Sequence, residues 1–366
     1  MKPVLVVNSG SSSLKYQLID IDASQPIASG LIERVTNHSH AFAQMLGELG
    51  EVAPIAVGHR VVHGGAAFNS ATLITDEVLA QIEELSSLAP LHNPGNAAGI
   101  RGAIEAFPGV AQVAVFDTAF HQTMPASSYR YAIDKNLADK YGVRRYGFHG
   151  TSFSYVTKQT AEHLGKPAHA LNAIILHLGN GASVCAVKNG KSFDTSMGLT
   201  PLQGLVMGSR SGDIDPAIIP YLARVANMSM AEIDESLNKH SGLLGMTGAS
   251  DLRDVEAKAA SGDIEAVEAI EVYVQRIKHY VGAYLAELGG VDALVFTAGV
   301  GENSTHIRAK VLEGLGPLGF EIDSAKNEVR SKDARSIATS SSRTEILVIP
   351  TNEELEIALQ AAAFVH

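Results

Sequence analysis

Three short polar loops, each closing an apolar run, limit what this chain can become. Asn8-Ser9-Gly10-Ser11-Ser12-Ser13 follows Val4-Leu5-Val6-Val7, and His177-Leu178-Gly179-Asn180-Gly181-Ala182-Ser183 follows Ala173-Ile174-Ile175-Leu176. Gly299-Val300-Gly301-Glu302-Asn303 follows Leu294-Val295-Phe296. A buried strand that ends in glycine and small hydroxyl residues leaves backbone N–H groups free, and glycine lets that backbone approach a ligand closely. Three such loops in one chain suggest a nucleoside triphosphate held from several sides.

The surrounding pattern is α/β. Val4–Val7 reads as a buried strand with Leu14–Asp20 as its antiparallel return, and Val113–Phe116 and Leu347–Ile349 as further strands. Ser183–Val187 and Ser192–Thr195 flank Asn189-Gly190, a strong hairpin signal. The spacing of Val78, Leu79, Ile82, Leu85 and Leu88 predicts a helix over Thr75–Ala89 that Pro90 stops. Ile264–Leu288 places Val267, Ile270, Val274, Ile277, Val281 and Leu285 on one helical face and ends at Gly289-Gly290. Thr351 and Glu354 have capping-box spacing for a final helix. Strand, glycine turn and strand occur near residue 4 and again near residue 174, as two ordinary hairpins or as the start of two similar halves.

Length and charge narrow the partners. A chain of 366 residues is long enough for two domains, each with its own core. A formal charge of -11 disfavours nucleic acid and anionic membranes, but a local arginine cluster can still serve a small anion. Cys185 is the only cysteine, so no intramolecular disulfide forms, and with Val184 and Ala186 beside it a buried strand is expected. No apolar run approaches the ~18 residues of a membrane span. The apolar run before Asn8 is too short for a signal-peptide core. A cytoplasmic location is expected.

Gly190-Lys191-Ser192 imitates the end of a P-loop. Cys185 stands where that motif needs its first glycine, and the lysine follows a hairpin turn rather than opening a helix. Phosphates must therefore be held differently. Arg60, within Gly58–Gly65, and Arg210, within Gly208–Asp213, are the forked donors suited to carboxylate or phosphate. Asp117 directly follows the strand Val113–Phe116, where α/β proteins place ligands, and reads either as a ligand residue or as a turn cap. His92, His121, His149 and His177 show no zinc spacing; for His92 and His121 structural hydrogen bonding competes with catalysis. With Glu354 taken as the capping residue, Glu353 is left for a magnesium water shell or for simple solvation at the helix start.

These blocks resemble the acetate kinase family: Asn8–Lys15, Gly58–Gly65, Ala89-Pro90-Leu91-His92-Asn93-Pro94, Phe116-Asp117-Thr118-Ala119-Phe120-His121, Tyr146-Gly147-Phe148-His149-Gly150, His177–Gly181, Gly299–Asn303 and Pro350-Thr351-Asn352-Glu353-Glu354. The resemblance covers essentially the whole chain. It implies two ribonuclease-H-like (actin-like ATPase) domains with an interdomain active-site cleft: an acyl kinase domain of residues 1–121 plus 355–366, and a nucleotide-binding and dimerisation domain of residues 122–354. It implies reversible, Mg²⁺-dependent transfer of the ATP γ-phosphate to acetate, giving acetyl phosphate and ADP, with Mn²⁺ as a substitute metal and a homodimer as the assembly. Propionate or butyrate is the alternative acceptor. A non-enzymatic actin-like or Hsp70-like ATPase module has no obvious use for the Arg60/Arg210 pair.

Roles follow residue by residue from the resemblance. Asn8 and Glu353 match positions that help hold Mg²⁺. Arg60 and Arg210 match the arginines for the acceptor carboxylate and the phosphoryl group, Asp117 the catalytic aspartate, and His149 a histidine that stabilises the phosphoryl group in flight. Ser11, Ser13 and Lys15, with His177, Asn180 and Gly181, match the phosphate loops. Asp251, Arg253, Gly299 and Asn303 match the adenosine side, and Val62, Leu91 and Pro201 the pocket for the methyl group. The segment of residues 36–54 is shorter than usual, while Gly95 stands where Pro or Ala is common and Ser209 where Thr is common.

Overall fold

The computed structural model describes residues 2–10, 12–35, 37–50 and 53–365, without the side chain of His38. The chain forms two compact units, one of Met1–Gln122, Phe148–Tyr155 and Asn352–His366, the other of Thr123–Gly147 and Val156–Thr351.

The first unit is built on strands β1 (Pro3–Ser9), β2 (Ser13–Asp20), β3 (Gln25–Glu33), β4 (Ala56–Val61), β5 (Thr72–Leu73) and β6 (Ala111–Phe116), in the order β3-β2-β1-β4-β6-β5. The second has β7 (Ala173–Leu178), β8 (Ala182–Lys188), β9 (Lys191–Thr195), β10 (Ala293–Thr297), β11 (Arg335–Ser336) and β12 (Glu345–Val348), in the order β11-β12-β10-β7-β8-β9. Each sheet starts with three antiparallel strands and then adds two parallel ones, β4 and β6 in the first, β10 and β12 in the second. This is the ribonuclease-H-like strand order of actin-like ATPase domains, present twice. The glycine turns near residues 10 and 180 are the same β1–β2 and β7–β8 connection. In both sheets a two-residue antiparallel strand, β5 or β11, covers the outermost parallel strand.

β1 explains why its sequence is continuously apolar. Val4 and Val6 face Leu355, Ile357, Ala358 and Ala361 of the last helix, Glu353–Ala362. Leu5 and Val7 face Phe42 and Met45 of the helix His38–Leu49, with Ala103 and Phe107 beyond. A strand covered on both faces has no polar side to alternate with. Gly58 in β4 lets the last helix lie close: a Cβ there would sit 2.7 Å from Ile357 Cγ2. Truncating Ile357, which is 2 % exposed, to alanine costs about 2–5 kcal/mol.

Several elements differ in detail from the sequence reading. The helix begun by its N-cap Thr75 is α-helical only over Asp76–Glu84, then tightens to a 3₁₀ turn at Leu85–Ser87, where Leu85 packs against the backbone of Gly65. The long helix spans Ile264–Leu288 as its pattern predicts, with Asp263 as N-cap and Gly289 left-handed at its end. Its buried stripe includes Ala266, Tyr273, Tyr284 and Leu288, whereas Val267 is 40 % exposed. The last helix is capped by Asn352, whose side chain accepts from the Leu355 N–H, and not by a Thr351/Glu354 box. That placement makes Glu353 the first helical residue. At the β8–β9 turn both Asn189 and Gly190 have positive φ, 52° and 72°, as a type I′ hairpin requires.

Candidate active site

In the first unit the parallel strands β4 and β6 end level, Val61 opposite Phe116. The Asp117 N–H continues the ladder to the Val61 carbonyl at 3.0 Å. That register brings the side chains of Arg60 and Asp117 together. Arg60 Nε lies 3.0 Å from Asp117 Oδ1, and Nη2 lies 2.7 Å from Oδ2. Asp117 is 1 % exposed, and burial pushes its carboxyl above the usual carboxylate range while Arg60 opposes the shift. The Asp117 charge pushes the Arg60 guanidinium up, so Arg60 stays a cation. Its Nη1 has no protein partner among the described residues.

The end of the Tyr146–Gly150 motif, Gly150, is hydrogen-bonded to the backbone of Asp117. Gly147 and His149 have positive φ, 75° and 58°, and turn the chain into the helix Gly150–His163. The Gly150 N–H donates to the Asp117 carbonyl at 2.8 Å, and a Cβ on Gly150 would sit 2.3 Å from that oxygen. Only glycine fits at this position. His149 is half-buried beside the contact. His121 is fully buried with Nε2 2.9 Å from the Phe148 carbonyl, a structural hydrogen bond. His92 is the N-cap of the helix Asn93–Ala106.

Carboxylates gather at the start of the last helix. Thr151 Oγ1 donates to Glu353 Oε2 at 3.1 Å, and Lys15 on β2 pairs with Glu354. Asn8 stands opposite Lys15 in the β1–β2 register. Asp117 feels the Glu353 charge, which also raises its carboxyl. Among the described residues no three His, Cys, Asp or Glu side chains converge on one point. An amide and separate carboxylates are hard oxygen donors, too few for a caged ion. They suit Mg²⁺, which keeps several waters and takes other oxygens from substrate phosphates.

Beyond β4, the Val62 N–H donates to Asn96 Oδ1 at 3.1 Å and the His63 N–H to Asn93 Oδ1 at 3.2 Å. Val62 is half-buried, and Leu91 is 63 % exposed just before the same helix. Ser13 opens β2 opposite Glu33. Ser11 lies outside the described residues.

The second unit has a cavity of about 890 Å³ lined by Gly179, Asn180, Gly208, Asp251, Arg253, Gly299 and Asn303, among others. Asn180, Asp251, Arg253, Gly299 and Asn303 thus line one cavity. Gly179 lines the cavity, and Gly181 does not. His177 is buried at the end of β7, opposite Ser183. Gly299–Asn303 is not a loop but lies in a short helix, Ala298–Asn303, that starts directly from β10 with Ala298 left-handed at φ 65°. Arg308, 1 % exposed, holds its end by donating from Nη1 to the Gly301 and Glu302 carbonyls at 2.9 Å each. A Cβ on Gly299 would meet nothing within 4 Å, so this glycine leaves the cavity open.

The Gly208–Asp213 loop abuts the turn at Asn180. The Gly208 N–H donates to the Asn180 carbonyl at 3.0 Å, and a Cβ on Gly208 would sit 1.9 Å from Asn180 Oδ1. Arg210 Nη1 donates to the Pro201 carbonyl at 3.2 Å, and no carboxylate pairs with Arg210 among the described residues. Burial without a counter-charge lowers its guanidinium from the ordinary value. An unpaired, half-buried arginine suits an anionic ligand. Asp251 and Arg253 pair with each other at the cavity rim, Nε to Oδ1 3.0 Å.

The asparagines Asn93 and Asn96, buried at 0 % and 3 % exposure, carry no role in the sequence reading. Asn93 lies inside a quoted motif, but a polar residue three positions before another on a helix rich in small residues gives no sign of facing inward.

Comparison with known proteins agrees with this geometry. The sequence matches the Acetokinase family over residues 3–54 and 43–359, two pieces that meet at the short 36–54 segment. It is 53% identical over an alignment of 392 positions, gaps included, to an acetate kinase of Clavibacter sepedonicus, covering 99% of each chain. It is 54% identical to an acetate kinase of Leifsonia xyli subsp. xyli, covering 99% of this chain and 98% of that one. Among solved structures, acetate kinase from Porphyromonas gingivalis superposes with a TM-score of 0.96 at 42% identity, covering 99% of each chain. A propionate kinase from Francisella tularensis superposes with a TM-score of 0.94 at 44% identity, covering 99% of this chain and 100% of that one. The chain belongs to the acetokinase family.

Proposed function

We propose that this enzyme is an acetate kinase: it moves the γ-phosphoryl group of ATP onto a carboxylate oxygen of acetate, giving acetyl phosphate and ADP, and catalyses the reverse. The observation that carries the reading is the match over 99% of this chain to acetate kinases at 53% and 54% identity. Acetate is therefore the preferred acceptor.

The residues support this chemistry without a general base. A carboxylate acceptor is already ionised at neutral pH, so no proton is removed before attack. Asp117, engaged at both oxygens by Arg60, orients that arginine rather than taking a proton. The obstacle is the repulsion between acceptor and triphosphate. Arg60 and Arg210 are assigned to the acceptor carboxylate and the phosphoryl oxygens, whose charge they offset. His149 is assigned to the same oxygens. Ser11, Ser13, Lys15, His177, Asn180 and Gly181 are assigned to the phosphates, and Asp251, Arg253, Gly299 and Asn303 to the adenosine. Val62, Leu91 and Pro201 are assigned to the methyl group. Mg²⁺, when bound, supplies charge neutralisation at the phosphates; Asn8 and Glu353 are the residues that hold it, and Mn²⁺ is the expected substitute.

The first unit then serves as the acyl kinase domain and the second as the nucleotide-binding and dimerisation domain of a cytoplasmic homodimer. No helix among the described residues is long and apolar enough to cross a membrane. The test is trapping with hydroxylamine. Acetate, ATP and Mg²⁺ should give acetohydroxamate in proportion to enzyme, and no product with acetate overturns the proposal.

A further inference from the structure

We propose that Asn96 is a positioning residue for acceptor selectivity: its amide fixes the backbone of Val62 to the end of β1 and so sets the depth of the acyl pocket. The proposal rests on the acyl kinase reading above. Asn96 is 3 % exposed and uses both ends of its side chain. Oδ1 accepts from the Val62 N–H at 3.1 Å, and Nδ2 donates to the Ser9 carbonyl at 2.7 Å. Val62 lies just past the last paired residue of β4, so no strand partner holds its N–H. Ser9 is the last residue of β1. The amide therefore replaces a ladder hydrogen bond where the sheet stops.

Two neighbours make this a built arrangement. Asn93, one helical turn earlier, accepts from the His63 N–H at 3.2 Å and donates to the His63 carbonyl at 3.0 Å. Consecutive residues of the chain are thus read by consecutive asparagines of one helix face. Gly99, one turn later, lets the helix touch Ser9: a Cβ there would sit 2.3 Å from Ser9 Cβ. The helix Asn93–Ala106 is consequently pressed against the end of β1 and holds Val62 through one side chain.

The two ends of the amide separate by substitution. Asn96→Asp keeps an oxygen for the Val62 N–H and loses the donor to Ser9. Asn96→Ala loses both, and Asn96→Ser, whose hydroxyl cannot span both partners, serves if the alanine variant does not fold. The measurement is the ratio of kcat/KM for propionate to that for acetate, with Tm recorded alongside. Asn96→Ala, Asn96→Ser and Asn96→Asp each break the link from Val62 to the end of β1, and each should move the ratio at least threefold. An unchanged ratio in folded Ala or Ser variants, with only Tm lowered, overturns the proposal. So does a wild-type ratio in folded Asn96→Asp, which would leave Ser9 and the end of β1 without a part in it. A wild-type enzyme that phosphorylates neither acid overturns the acyl kinase reading itself, an outcome separate from an unchanged ratio in an active enzyme.

Discussion

Arg60 and Asp117 meet in a two-point ion pair at the ends of adjacent parallel strands, with the aspartate buried and one nitrogen of the arginine left over. Arg210, in the other unit, has no such partner among the described residues. The two arginines serve one proposed reaction but carry different structural burdens, and their variants should separate the two.

Arg60→Ala and Arg210→Ala should each lower kcat by about 10²–10³-fold, the scale of removing one donor to transition-state charge. Arg60→Ala should also destabilise the protein by about 3–5 kcal/mol, because Asp117 is left buried and unpaired. Arg210→Ala should cost only about 1 kcal/mol, the worth of its bond to the Pro201 carbonyl. Lysine should rescue each partly, since it lacks the planar fork. Steady-state kinetics with denaturant unfolding checks both halves; turnover near wild type in either alanine variant removes that arginine from the mechanism.

The residue before Arg60 gives a pH signature. His59 is 2 % exposed, hydrogen-bonded to Gln112 at 2.8 Å, and burial lowers its pKa from 6.5 to about 4. Between those values the unfolded chain binds a proton that the folded chain does not. The stability that His59 contributes is therefore complete above pH 6.5 and is lost as pH falls through about 4. The interval corresponds to about 3 kcal/mol. Unfolding curves from pH 7 to pH 4 should show that decline in wild type and a shallower one in His59→Gln. Parallel curves would mean that His59 charges in place.

How much of this was legible follows physical lines. The repeated strand–turn–strand pattern at residues 4 and 174 left two ordinary hairpins and two similar halves open, and the two sheets of like order show the second. The Ile264–Leu288 helix was legible to the residue because its cap and its terminal glycine are local. The helix at Gly299–Asn303 was not: two glycines disfavour a helix, and Arg308, which holds its end, lies beyond the motif. The Asn352 cap was missed for a related reason, since Thr351 offers the same chemistry one residue earlier. Loop residues that face ligands carry their chemistry in their type. Asn93 and Asn96 act through backbone atoms of other segments, and only the fold reveals those.

Glu353 is tied to Thr151, forms no ion pair among the described residues, and stands at the first helical position. Glu353→Gln keeps the shape and the Thr151 contact while removing the charge. The Mg²⁺ concentration for half-maximal activity should rise several-fold, with a smaller change in kcat at saturating metal. An unchanged Mg²⁺ dependence would make Glu353 a helix-start residue favoured only by the macrodipole.

Val62→Ala tests the acyl pocket directly. Val62 follows a fully buried Val61 yet is itself half-buried, so its side chain is not simply core. One methylene in an apolar pocket is worth about 1–3 kcal/mol, which bounds the gain for propionate at about 10–200-fold. The realised gain should lie near the lower end, since Leu91, assigned to the same methyl group, is 63 % exposed and able to yield. Removing two methyl-sized groups touches no charge, so transfer to acetate should persist. Because Asn96 holds the Val62 backbone and not its side chain, the alanine variant keeps that hydrogen bond. Val62→Ala should therefore raise the propionate to acetate ratio of kcat/KM with little loss of Tm. A lower Tm with the wild-type ratio would make Val62 a packing residue and pass the selectivity to Leu91 and Pro201.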